Sequence, residues 1–185
     1  MKTTLAHIAT IQTGVFAKPS QKGEIVYLQA KHFNENGELS ETLYPDLNNE
    51  GRLDKHLLKN GDVLFAAKGT KNFAAWYESD NLPAVASTSF FVIRLNDKKM
   101  LPGYLTWFLN HPNTQLLLKG QARGTSMASI SKAVLSDLEI PIPTINKQEL
   151  ILNIYKLRNK EKKLKQQIEN LREKQIQQQT INSIK

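Results

Sequence analysis

Asp46, Asp97 and Lys99 are the residues of this chain that come nearest to a catalytic constellation. Pro45-Asp46 followed by Asp97-Lys98-Lys99 matches in outline the pattern of a metal-dependent nuclease. There, two carboxylates hold Mg²⁺ and a lysine stabilises the charge developing on a phosphate. The spacing is loose, and Asn96 to Lys99 sits where the run FFVIRL should end, so ordinary turn chemistry explains it as well. Binding without bond cleavage is the other chemistry on offer, and three polar loops supply it. One carries Lys18 and Lys22 in VFAKPSQKG, a second Lys68, Thr70, Lys71 and Asn72 in KGTKN, and a third Arg123, Thr125 and Ser126 in GQARGTS. Ammonium and guanidinium groups hold phosphates, while arginine, asparagine, threonine and serine can hydrogen-bond to base edges. Arg123 is the best single candidate, because a guanidinium in a loop of small residues suits two-pronged contact to guanine or to phosphate.

Other chemistries lack their residues. Gly69-Thr70-Lys71 and Gly124-Thr125-Ser126 have neither the spacing nor the Lys-Ser/Thr pair of a phosphate-binding Walker loop. No Gly-x-Gly dinucleotide fingerprint and no Asn-Pro-Pro-aromatic run of an amino-methyltransferase occurs. His7, His32, His56 and His111 are scattered without paired spacing and read as surface or packing residues. The chain has no cysteine, which removes thiolate ligands and cysteine nucleophiles together and is compatible with a reducing cytoplasm.

The elements that must position these loops fall into two parts. The net charge is +8 over 185 residues, but from Asn146 onward there are ten Lys/Arg against four Asp/Glu. Residues 1–145 therefore carry about +2, and a body so nearly neutral would have to grip an anionic partner with local clusters. No run of about 20 apolar residues is present, and the opening MKTTLAHIATIQTG lacks the apolar centre of a signal peptide. A soluble, cytoplasmic protein with no membrane partner is the expectation.

Within residues 1–145 the pattern predicts a mixed α+β domain. TLAHIATIQTG has an apolar-polar texture ending at Gly14, and EIVYLQAKHF (24–33) reads as a strand. Asn60-Gly61 predicts a turn into the apolar run Val63 to Ala67. PAVASTSFFVIRL (83–95) reads as the most buried strand. Leu105, Phe108 and Leu109, then Leu116 to Leu118, have helical spacing, with His111-Pro112 as a break and Gly120 as a stop. Ile130 to Leu135 predicts a short helical turn. DLEIPIP predicts an extended edge, since proline removes donors that a central strand needs.

Past Pro143 neither glycine nor proline occurs, which predicts one helix of about 38 residues, about 57 Å long, over 146–185. Leu150, Ile154, Leu157, Leu164, Ile168 and Leu171 alternate by four and three around Glu161, the only interruption, which is the seam of a helix with a helical partner. Such a stripe must pack on its own domain or on another long helix. Gln175 to Gln179 lack the pattern, so the far end is expected to fray or to meet another subunit.

Four segments occur in one order: LAHIATIQTG; GDVLFAAKGT; STSFFVIRL; and SISKAVLSDLEIPIP, which leads into the long helix. Together they resemble the specificity subunit of type I restriction-modification systems (HsdS-like) in a half-length form. The joint departs from that family's Pro-x-Pro-Pro run at Thr144. The resemblance implies a non-catalytic DNA target recognition domain over 1–145. It also implies that the helix over 146–185 forms an antiparallel coiled coil through the seam residues and docks other subunits. The implied partners are double-stranded DNA, a second copy of the chain or another specificity chain, and modification methyltransferase and restriction subunits. S-adenosylmethionine, ATP and Mg²⁺ would belong to those subunits, with no cofactor in this chain. Two identical halves would read an interrupted palindrome. Outside this family, the metal nuclease of Asp46, Asp97 and Lys99 and a scaffold that binds no DNA are the other readings.

Overall fold

Two patterns of apolar residues produce two units, residues 1–145 and 146–185. The structure, a computed structural model, describes residues 2–20, 23–40, 42–49, 51–69, 72–78, 83–121 and 129–184. In chain order, β1 (Lys2–Thr4), α1 (Leu5–Ile8), β2 (Ala9–Thr13) and β3 (Val26–Leu28) are followed by β4 (Val63–Ala66), β5 (Ala74–Trp76), β6 (Ala84–Ala86) and β7 (Phe90–Leu95). Then come α2 (Pro102–Asn110), α3 (Pro112–Gln121), α4 (Lys132–Ser136), β8 (Glu139–Pro141) and α5 (Ile145–Ser183).

The first unit is α+β. β2, β7, β4 and β5 lie side by side in that order, each antiparallel to its neighbour. Gly61, at a φ of 92°, turns the chain into β4 where a side chain would be strained. All four residues of β4 are buried, because both faces of the strand are covered. Leu64 and Ala66 enter a cluster with Phe73, Phe90 and Val92, in which the rings of Phe33, Phe73 and Phe90 stand 5.6 to 6.0 Å apart. Val63 and Phe65 alternate to the opposite face, and α2 packs on β4 and β5.

One charged pair joins the two central strands. Asp62, 1% exposed, and Arg94 extend the Val63–Ile93 register by one residue. Arg94 Nε donates to Asp62 Oδ1 at 2.8 Å and its Nη2 to Oδ2 at 2.6 Å. The carboxylate also accepts from Lys59 N at 2.8 Å, and Arg94 Nη2 donates to Leu57 O at 3.3 Å. The hydrogen bonds that Arg94 donates to Asp62 raise its pKa against the opposing effect of burial.

Two strands predicted as single runs are each shorter than expected. The segment 24–33 is strand only at Val26–Leu28, then turns 3-10 at Ala30–His32, where Gln29 N donates to the buried His32 Nδ1 at 3.2 Å and His32 N to Gln29 O at 3.0 Å. The segment 83–95 divides into β6 and β7. Ser87, Thr88 and Ser89 turn the chain between them, and Phe90 N closes the turn on Ser87 O at 3.0 Å. β6 then leaves the large sheet and pairs in parallel with β3. That pair separates two clusters by simple alternation. Val26, Leu28, Ala84 and Ala86 face one, while Ile25, Tyr27 and Val85 face another with Leu47 and Leu53.

At the start of the chain β1 pairs antiparallel with β8, and Leu5 N donates to Leu138 O at 3.0 Å. Tyr104, whose pKa burial raises, donates its hydroxyl to Pro141 O at 3.2 Å and so ties α2 to β8. Asn110, the last residue of α2, reaches Ala74 twice. Its Nδ2 donates to Ala74 O at 2.8 Å and its Oδ1 accepts from Ala74 N at 2.7 Å.

The second unit is α5, whose 39 residues span about 58 Å. Leu150, Ile154, Leu157, Leu164, Ile168 and Leu171 are all exposed. Glu161, the charge within the seam, is held below the usual carboxylate range by a hydrogen bond from Lys165, one turn on, at 2.6 Å. The far end, expected to fray or to meet another subunit, is helical. Helix continues to Ser183, with Gln177 Nε2 on Glu173 Oε1 and Gln178 Nε2 on Asn182 Oδ1, each at 3.1 Å. No helix among the described residues is long and apolar enough to cross a membrane.

The Asp62–Arg94 geometry predicts that Arg94→Met lowers stability in urea unfolding by about 3 kcal/mol, because it strands a buried carboxylate. Lys2→Ala, which removes an exposed pair with Glu139 at 3.8 Å, should change it by less than about 1 kcal/mol.

Candidate nucleic-acid interface

The loops that carry the basic and polar candidates are anchored at one end of the four-stranded sheet. β2 ends there, and Gly14 N donates to Phe90 O at 3.0 Å while Val15 N donates to Ala86 O at 2.8 Å. β4 ends there as well, with Ala67 N on Ser89 O at 3.0 Å. Ile130 N donates to Ala67 O at 3.0 Å and so brings the chain that succeeds residues 122–128 to the same place. The Ser87–Ser89 turn, with Ala86 and Phe90 on its flanks, accepts the first three of these bonds. Its close packing sets the choice of residue at position 14: a Cβ on Gly14 would stand 2.1 Å from Ser87 O and 2.5 Å from Ala86 O.

Lys18 and Lys68 are exposed on two of these loops. Asn72 is half-buried and its Nδ2 donates to Ala66 O at 2.9 Å, so its amide nitrogen closes the loop after β4. Lys22, Thr70, Lys71, Arg123, Thr125 and Ser126 lie outside the described residues. Two exposed cations on loops that leave this end of the sheet suit an anionic partner.

Sequence reasoning weighed this loop by its lysines and passed over its aromatic residue. Phe16 is 78% exposed between Val15 and Ala17, both partly buried against the cluster of Ile25, Tyr27 and Leu47. Burial alternates over Val15, Phe16, Ala17 and Lys18, with the ring and the ammonium at the exposed positions, a pattern that the residue types alone do not display. Tyr44 is exposed too, on the segment that the Ser20 N to Asp46 O bond, 2.7 Å, ties to this loop.

The metal-nuclease pattern is not assembled. Asp46 Oδ1 accepts from Tyr27 N at 2.9 Å beside β3. Asp97 lies past the other end of β7, about 20 Å of strand away from the Ser87–Ser89 turn, and its Oδ1 accepts from Lys99 N at 2.9 Å. Asp97 and Lys99 line a groove with His7, Ile8, Pro143 and Ile145, and Asp46 is not part of its wall. Among the described residues no three His, Asp or Glu side chains are placed to hold a metal ion.

A family model described as the type I restriction modification DNA specificity domain matches residues 3–178. No curated protein sequence matches the chain. Among solved structures, the fold is similar to that of the HsdS subunit from Thermoanaerobacter tengcongensis, at 21% identity and a TM-score of 0.67, over 90% of this chain and 44% of that one. It is also similar to the type I restriction-modification S subunit from M. genitalium, at 20% identity and a TM-score of 0.57, over 86% of this chain and 39% of that one. A chain of a type I R-M system, described for its complex assembly and conformational transition, is similar at 14% identity and a TM-score of 0.65, over 87% and 38%. This chain thus spans about two-fifths of the length of each.

The contact at position 14 predicts that Gly14→Ala destabilises the first unit by about 2 kcal/mol through overpacking against the Ser87 carbonyl. Urea unfolding of the full chain checks it, since a change below about 0.5 kcal/mol would mean that the two segments separate freely.

Proposed function

The chain belongs to the family of type I restriction modification DNA specificity domains, and we propose that it is a non-catalytic, cytoplasmic DNA-reading module. In this reading, residues 1–145 recognise a short sequence in double-stranded DNA, and residues 146–185 dimerise and dock modification methyltransferase and restriction subunits. Those subunits would supply S-adenosylmethionine, ATP and Mg²⁺, and this chain would hold none of them.

The observation that carries the reading, beside the family, is the gathering of the Lys18 and Lys68 loops on the Ser87–Ser89 turn. Lys18, Lys22, Lys68 and Lys71 would hold phosphates, and Arg123, with Thr70, Thr125 and Ser126, would read base edges. A first unit of nearly neutral charge suits this division, because it limits indiscriminate attraction to DNA.

The six exposed seam residues of α5 support self-association. Burying Leu157, Leu164 and Ile168 on each of two helices would contribute several kcal/mol, on the order of what sets an oligomeric state. A dimer joined by one patch on each copy has a two-fold axis, so its two recognition units would meet inverted half-sites. Pairing with a different specificity chain would give an asymmetric site instead.

Selection of the full chain on a library of randomised duplexes should enrich two inverted half-sites with an unspecified spacer. No enrichment above a shuffled duplex would overturn the DNA-reading role, and an asymmetric site would overturn the homodimer. Sedimentation tests the seam: Leu164→Glu with Ile168→Glu should shift the dimer to monomer, and unchanged sedimentation would remove the helix as the interface.

A further inference from the structure

Phe16 is held in solvent by its neighbours. A single hydroxyl pins the backbone on both sides of it: Tyr27 Oη donates to Val15 O at 3.0 Å and accepts from Ala17 N at 3.3 Å. Tyr27 is 3% exposed and its own N donates to Asp46 Oδ1, so the pin is itself anchored. Val15 N is fixed again on Ala86 O at 2.8 Å. With Val15 and Ala17 turned to the cluster of Ile25, Leu47 and Val85, the ring of Phe16 has no inward place to go. The next exposed side chain along the segment is Lys18, two residues on.

We propose that Phe16 makes an apolar contact with a base of the DNA duplex, with Lys18 on the adjoining phosphate and Tyr27 as the positioning residue. This rests on the DNA-reading role proposed above. An exposed ring and an exposed ammonium on a pinned segment match the two surfaces that a duplex offers side by side, apolar base and anionic backbone. A protein partner would call for a continuous apolar patch, and the next exposed position after Phe16 in this segment is Lys18. Fixing the segment before binding removes the cost of ordering it at the moment of contact.

Apolar base surface has two sources, the thymine methyl in the major groove and the face of an unstacked base. The test uses the full chain, a duplex enriched by it from the randomised library, and a shuffled duplex of the same composition. Phe16→Ala should weaken binding to the enriched duplex about tenfold while leaving the shuffled duplex and the salt slope unchanged. Lys18→Ala should weaken both duplexes alike and lower the salt slope by about one unit. Tyr27→Phe keeps the buried ring and removes the pin, and it should lower selectivity in the same direction as Phe16→Ala. Replacing each thymine with uracil separates the two sources. A loss that the Phe16→Ala protein no longer shows assigns the methyl, and indifference to uracil alongside the Phe16→Ala loss assigns a base face. Affinity of Phe16→Ala within twofold of the unaltered protein, or an equal loss on both duplexes, overturns the contact while leaving the DNA-reading role intact. If the unaltered chain enriches no duplex, that role fails first and this contact with it.

Discussion

The pairing of Asp62 with Arg94 fixes the two central strands of the sheet in register, and the clusters and loops of the first unit depend on that register for their places. A carboxylate so buried is tolerable only with its oxygens satisfied, and Arg94 and the Lys59 amide together do this. Because the pair lies at one end of β4 and β7, a slip of one residue would break it and would also exchange the faces of Val63 and Leu64. Hydrophobic contact alone discriminates poorly between registers here, since β4 is apolar on both faces. The ion pair supplies the missing specificity. At the far end of the same strands, the register decides where Gly14, Ala67 and the Ser87–Ser89 turn meet, and hence which loops share a surface.

Much of this was legible in the sequence where local chemistry dominates. Asn60-Gly61 announced a turn and Gly61 makes it; His111-Pro112 announced a break and divides α2 from α3. The glycine- and proline-free run past Pro143 announced one helix, which is α5. The features that escaped notice depend on partners distant in the chain. PAVASTSFFVIRL is apolar enough for one strand, and nothing local shows that its first half will leave the sheet to pair with β3. In EIVYLQAKHF the strand gives way to a 3-10 turn because His32 finds the Gln29 amide. The clustering of the Lys18 and Lys68 loops is likewise a product of strand order, 2-7-4-5, which composition cannot express. Phe16 was overlooked for another reason. An apolar ring in a loop is read as core by default, and only the inward turn of both neighbours shows otherwise.

The two units divide the physical work. The first buries its large side chains in clusters, Phe65, Phe90, Ile93 and Leu105 among the most enclosed, and carries little net charge. The second buries little, exposes its apolar seam and carries most of the net positive charge. A helix of this length with a polar majority draws stability from local pairs such as Glu161–Lys165 and from whatever covers the seam. In the function proposed above, recognition and association would fall to separate stretches of chain.

The grip of Asn110 on Ala74 bears on how copies of the protein can meet. β5 is the last strand of its sheet, and the outward amide and carbonyl of a last strand invite a strand from another molecule. At Ala74 both groups are already taken by a side chain that imitates the missing neighbour. Gly37, at a φ of 75°, lies so close that a Cβ there would stand 2.1 Å from the same carbonyl, which leaves no room for an incoming backbone. At Ala74 this border of the sheet therefore offers no free backbone pair to a strand from another molecule. Edge-to-edge pairing is thereby refused at this residue of the sheet, whereas the apolar stripe of the long helix lies exposed.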